Sequence, residues 1–347
     1  MKAVGRKRDE LMPMMSIVGI ILVVLGHSGN TGTNIAMDCP YLCKWIYNFH
    51  MPLFFFISGF LFSFTNESFL KMDKKNMLWK KVLRLLVPYV SIGIVLWGVK
   101  YVFASFASVE RHFSLASFLK MFVAPNTEGS TMGYLWYLIT LFVVFAIMAV
   151  LPTLRVDLKK TAWCLTVGTV SWLLLRYTDG VEWFNISQVC WYMPFFITGI
   201  LYKRYAAIIQ RVLNGGGKNL LCLNILLSVA LSVSLTFLSI DAFWYKVVTA
   251  LIGIWMSLSV CLCLVKNEWV ISHILPCGRY TYSIYLLSWF GQYATKIIVV
   301  NILHLNVWIC ITSLLLMGLL FPIVVDKVIE RLDSDHKYKW LRLIVGY

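Results

Sequence analysis

Apolar stretches of roughly 17 to 22 residues recur along the chain, each long enough to cross about 30 Å of hydrocarbon as a helix rising 1.5 Å per residue. Ten can be drawn, at about 13–30, 45–64, 82–104, 132–152, 161–177, 187–202, 220–240, 246–265, 281–298 and 307–325. The pattern predicts an all-α, polytopic integral membrane protein. Within it, the stretch 19–64 departs from its neighbours, because its two apolar runs each carry one histidine, His27 and His50. An ionisable side chain inside a bilayer is costly, so both positions are candidates for function.

Composition agrees with the pattern. Of 347 residues, 60% are apolar and 14% charged, and the mean hydropathy is +0.77, outside the soluble range. A net charge of +15 would suit nucleic acid, but the basic residues sit in short clusters between apolar runs and so report topology, with no nucleic-acid partner implied. With the N-terminus inside, the clusters around Arg6, Lys75, Lys159, Arg204, Lys266 and Arg331 all fall on one side. The positive-inside rule then places both termini in the cytoplasm, and the expected location is the plasma or inner membrane, in contact with its lipids. Arg6, Lys7 and Arg8 before an apolar run also resemble a signal peptide, but the spans that follow favour an uncleaved first helix. Residues 1–347 read as one transmembrane domain, with 326–347 as a cytoplasmic tail that can lie on the membrane surface. The outer segment 105–131 is too short for a domain, and Asn214 with the three glycines after it reads as an inner turn.

Helical rise places His27 roughly 21 Å from the inner boundary and His50 roughly 8 Å from the outer one, both in the outer third of the bilayer. Helices joined by a short loop are neighbours, so the two imidazoles can face one cavity. Imidazole is the usual general base near neutral pH. The bland alternative is two unrelated histidines, each satisfied by a carbonyl. A metal site with Asp38, Cys39 or Cys43 matches no established ligand spacing, so no metal is expected. Cys39 and Cys43 lie in an outer loop where pairing is open but not required. Most other cysteines are in apolar runs, where they act as small hydrophobes.

At the inner end of the third stretch, Lys80, Lys81 and Arg84 gather cations, with Lys81 and Arg84 at i,i+3 on one helix face. Arg offers a fork of donors and Lys a point charge, which suits phosphate, although plain inner anchoring explains them equally well. In the ninth stretch Ser288, Gln292 and Lys296 form a polar stripe, extended inward by Tyr282 and Tyr285. Such a stripe faces a bundle interior. Ser58, Tyr285, Ser288 and Gln292 are therefore candidate cavity-lining residues. Trp136, Tyr137, Trp191 and Tyr192 sit near stretch ends and read as interfacial belt residues.

The sequences VVLGHS at 23–28, FHMPLFFFISGFLF at 49–62, KKVLRLLVPY at 80–89, LWYLITLF at 135–142, MPFFITGIL at 193–201 and GRYTYSIYLLSW at 278–289 together resemble the membrane-bound type 3 acyltransferases, in particular the subgroup of fucose 4-O-acetylase-like enzymes. The resemblance implies an O-acetyltransferase with no bound cofactor, which uses cytoplasmic acetyl-CoA, or another acyl-CoA, as co-substrate. Its acceptor would be a hydroxyl of a glycan or lipid-linked sugar. The position matching His27 is regarded as catalytic in that family, with His50 as its helper here, and the pair matching Lys81 and Arg84 is associated with the donor. The family usually carries Arg or Lys eleven residues before the catalytic histidine and Asp three residues earlier; this chain has Ser16 and Pro13 there. It also has Ser288 where many members have histidine. Two other readings stand beside the enzyme: a transporter or flippase for a glycolipid or small solute, and an acyl-CoA-binding membrane protein without turnover. Every Asp and Glu falls in a loop, tail or span end, which disfavours an ion-coupled transporter. Homo-oligomers are compatible with either.

Overall fold

The structure is a computed structural model, and it describes residues 2–30, 39–69, 74–103, 115–126, 130, 132–151, 157–214, 217–238, 240–333 and 342. Asp38, much of the 105–131 segment, Gly215 and Gly216, and most of the tail lie outside the described residues.

No strand occurs among the described residues. The helices are α1 (Lys2–Asn30), α2 (Pro40–Phe69), α3 (Lys74–Lys81), α4 (Val87–Phe103), α5 (Leu115–Val123), α6 (Trp136–Val150) and α7 (Asp157–Thr178). They continue as α8 (Ile186–Asn214), α9 (Gly217–Leu238), α10 (Phe243–Leu264), α11 (Glu268–His273), α12 (Thr281–Lys296) and α13 (Val307–Leu332). Wider π-turns join α3 to α4 at Val82–Leu86 and extend α12 over Ile297–Ile302. Each of the ten expected stretches contains helix among the described residues. Among the described residues, seven helical stretches are individually long and apolar enough to cross a bilayer: those built on α1, α2, α3 with α4, α8, α9, α10 and α13. The chain is thus an all-helical, multi-pass membrane protein. Of the other three, α6 has only 15 residues and α12 only 16 before its π-turn, while α7 is long enough but interrupted by Thr161, Thr166, Thr169, Ser171 and Arg176. The last span continues as helix past the expected boundary at 325, as far as Leu332.

The chain divides into two compact units, one of residues 1–60 with 202–331 and one of 61–201 with 332–347. In the first, α1 packs on α10, on α12 and on the tight turn Leu275–Tyr280, and α9 packs on α10. Small residues set these distances, as in membrane helix pairs generally. A Cβ on Gly253 of α10 would lie 2.2 Å from Cγ of Phe49, so the Phe49 side chain of α2 sits directly against the α10 backbone at this glycine. Ile20, Val23 and Val24 of α1 form an apolar cluster with Tyr280 and Ile284, against which Tyr285 also packs.

In the second unit, the α3–α4 π-turn packs on α6. Phe62, Phe145 and Phe196 meet as tilted or edge-on rings at 5.6–5.8 Å. Tyr89 donates from α4 to the Met121 and Phe122 carbonyls of α5, at 3.2 and 3.1 Å. The turn before α8 holds Phe184 and Asn185 at φ of 53° and 52°, a conformation unfavourable for a bulky side chain. Asn185 explains the turn's persistence: its amide donates to Thr140 Oγ1 (3.2 Å) and the Trp136 carbonyl (3.4 Å), and its Oδ1 accepts from Asn126 (3.4 Å).

Candidate active site

The first unit holds both histidines. Two glycines of α1, seven residues apart, let α2 come close: Gly19 faces Leu53 and Phe54, and Gly26 faces Ile46 and Tyr47. As α1 advances by seven residues α2 retreats by seven, so the pair is antiparallel, as the short connection predicts. This register places His27 about level with residues 45–46 of α2, so the two histidines are offset along the axis by roughly 7 Å, or a little over one turn. They are therefore not level, as counting from the membrane boundaries implies.

Tyr47 fills the step between them. Its ring meets His27 edge-on at 6.3 Å and His50 edge-on at 5.0 Å between centroids, and its hydroxyl donates to the Gly26 carbonyl at 3.3 Å. His50 is buried, and its Nδ1 lies 2.8 Å from the Ile46 carbonyl. A carbonyl can only accept, so Nδ1 carries the proton and Nε2 keeps a lone pair. His27 is half-buried, and its ring has no hydrogen-bond partner among the described residues. Two nitrogen lone pairs a turn apart, with an aromatic ring between them, can accept protons from a hydroxyl that enters this part of the unit.

Next to His27, α12 runs beside α1 in the same direction: Gly278 abuts Pro13 and Ile17, and Gln292 reaches Val24 and Ser28. Gln292 and Ser288 of the expected stripe are buried, while Lys296 is partly exposed. Tyr285 packs on the apolar cluster already described. Ser58 lies two turns beyond His50 on α2 and is half-buried. Ser16 is tied to its own helix, its hydroxyl donating to the Met12 carbonyl at 2.9 Å. Cys39 and Cys43 are both free thiols at the start of α2, with the Cys43 amide bonded to the Cys39 carbonyl.

In the second unit, the cation segment is shaped by the π-turn. Lys80 and Arg84 are exposed and Lys81 is half-buried, its ammonium 4.0 Å from the centroid of the Phe145 ring. Of this pair, Lys81 turns inward and Arg84 outward. A π-turn bonds i to i+5 and shifts the helical phase, so the i,i+3 rule no longer puts both on one face. Trp136 and Tyr192, read from sequence as belt residues, meet as tilted rings at 5.3 Å.

Tyr47, Ser28 and Gly26 are the site residues that sequence reasoning passed over. The signal was present for Tyr47, which stands three residues before His50 and so on the same helix face.

Residues 15–327 match the family model described as an acyltransferase domain. Over 202 residues the chain is 26% identical to nodulation protein NolL of Mesorhizobium japonicum, an alignment covering 57% of this chain and 48% of that protein. The chain thus spans about half the length of this curated relative. No solved structure matches it.

Proposed function

The chain belongs to the acyltransferase-domain family, and from that premise we propose that it is a membrane-embedded O-acetyltransferase, moving an acyl group from cytoplasmic acyl-CoA to a hydroxyl of a glycan or lipid-linked sugar. The observation that carries this reading is the His27–Tyr47–His50 step inside the matched region, with one imidazole nitrogen on each histidine available to accept a proton. His27 takes the proton of the acceptor hydroxyl as its oxygen attacks the thioester carbonyl. The C–S bond then breaks, and the proton passes from the imidazolium to the departing thiolate. His50 assists as a second acceptor. Transfer through an acyl-histidine uses the same residues. Lys80, Lys81 and Arg84 bind the donor's phosphates, the Lys residues as point charges and Arg84 as a fork. Ser58, Tyr285 and Ser288 line the acceptor's approach. In this reading the chain is one domain of ten spans in the plasma or inner membrane, with both termini and the 326–347 tail cytoplasmic.

Radiolabelled acetyl-CoA with purified protein and a polysaccharide acceptor tests the reading. Label should move to the acceptor with wild type, and His27→Ala should lose about 10²- to 10⁴-fold of the rate, the range for a general base, while keeping its thermal transition. Undiminished transfer by His27→Ala would remove the assignment. A second reading, acyl-CoA binding without turnover, draws on Ser16 and Pro13, since the Ser16 hydroxyl is occupied by its own helix. Label that is bound but never transferred would favour it.

A further inference from the structure

We propose that Gln292 is a positioning residue for His27, an inference that rests on the acyl-transfer reading and adds the residue that sets the imidazole's direction. Its Nε2 donates across the helix pair to the Val24 carbonyl at 2.8 Å and to Ser28 Oγ at 3.0 Å. Ser28 Oγ donates in turn to the same Val24 carbonyl at 2.9 Å. Val24 precedes His27 by three residues and Ser28 follows it by one, so a single amide grips the helical turn that carries His27 on both sides. The angle at which a side chain leaves a helix is fixed by the rotation of that turn about the axis.

The surroundings are built to let this amide in. Gln292 is 1% exposed and Ser28 0%. A Cβ on Gly318 of α13 would come within 2.6 Å of Val24 Cγ1 and 3.0 Å of Gln292 Cγ. A Cβ on Gly291 would come within 2.6 Å of the Met317 carbonyl. Glycines at both places leave room for α1, α12 and α13 to converge on the amide. Gln292 Oε1 is buried without a partner among the described residues. An amide placed only to join helices would be expected to use its oxygen too, because an unpaired buried acceptor is costly. Here the two donor bonds to the His27 turn are kept and the acceptor is left open. Interhelical hydrogen bonds in membranes add only modestly to stability, whereas misplacing a reacting group by about 1 Å can cost about 10²-fold in rate.

The test compares Gln292→Met, which keeps the length and removes the donors, with Gln292→Glu, whose neutral acid retains one O–H donor that ionisation removes. Gln292→Met should lower kcat about 10- to 100-fold, with KM for acetyl-CoA and the melting temperature in detergent close to wild type. Gln292→Glu should lose activity relative to wild type as pH rises, because the ionised carboxylate cannot donate and repels the Val24 carbonyl. Mass-spectrometric rates of diethyl pyrocarbonate modification at His27 should change in both variants, in a measurement that needs no turnover. Wild-type kcat in Gln292→Met, or a Gln292→Glu profile parallel to wild type, would overturn the proposal. So would a loss of activity that only tracks a fall in melting temperature with His27 modification unchanged. If wild type transfers no acetyl group, the acyl-transfer reading fails, and the modification rates alone decide whether Gln292 orients His27.

Discussion

Tyr47 holds its place by two independent means, ring edges against both imidazoles and a hydroxyl on the Gly26 carbonyl, and substitution can separate them. Tyr47→Phe keeps the rings together and removes one long, partly exposed hydrogen bond, a loss of about 1 kcal/mol or less. Acetyl transfer should then fall by less than about 10-fold, whereas Tyr47→Ala opens the step between the histidines and should cost about 100-fold. Steady-state rates for the two variants, with thermal unfolding as the control, check this order. His50 differs from His27 in the same way that a supporting group differs from a reacting one. Its Nδ1 is committed to the Ile46 carbonyl, and its side chain is enclosed. His50→Ala is expected to reduce transfer less than His27→Ala does. The double variant should be no worse than His27→Ala alone, since groups acting as a unit are not additive; a further multiplicative loss would make the two histidines independent.

Helix pairing separates the parts of the site that are legible in the sequence from those that are not. Antiparallel contact between α1 and α2 follows from the short connection, and the two histidines stand out because each is an ionisable group in an apolar run. What brings Gly253 against Phe49, or Gln292 against Val24, is contact between residues some two hundred or more positions apart, and no local pattern encodes it. The π-turn at Val82–Leu86, which packs on α6, is equally hidden, because VLRLL is compatible with an ordinary helix. The glycine contacts give a stability prediction at this scale. Gly253→Ala puts a methyl 2.2 Å from a ring carbon of Phe49, one residue before His50. A ring cannot fold away as a flexible chain does, so α2 must shift, at a cost of about 1–3 kcal/mol. Gly98→Ala in α4 has nothing within 4 Å of the added Cβ and should be neutral or stabilising by up to about 1 kcal/mol, from helix propensity. Melting temperatures of the two variants in one detergent measure the contrast, and an unshifted Gly253→Ala would mean that α2 and α10 do not meet closely at this glycine.

At the scale of the molecule, seven helical stretches qualify for the membrane alone, and the sequence supports ten; the two counts differ in parity and so predict different sides for the C-terminus. The three helices in question carry polar side chains that make hydrogen bonds inside their own unit. Gln292 and Thr295 of α12 bond within the first unit. In the second, Thr140 of α6 accepts from Asn185, and Ser171 of α7 donates to the Cys190 carbonyl. Polar side chains with protein partners can cross hydrocarbon without making the helix apolar throughout. Length also permits it: α12 with its π-turn has 16 and 6 residues, and α7 has 22, each near the roughly 30 Å required. At 15 residues, α6 reaches only about 22 Å and depends on its neighbours. With seven crossings, everything from α5 to the start of α8 stays outside, together with Arg155, Lys159 and Lys160, and the basic tail follows it there. Ten crossings return those residues and the tail to the cytoplasm, as the positive-inside rule asks. Reporter fusions after Arg155 and after Tyr347 discriminate directly. A fluorescent protein that matures only inside should light up at both positions, and alkaline phosphatase, active only outside, should stay silent at both. Active phosphatase at the two sites would instead establish the seven-span count, and with it an outer C-terminus.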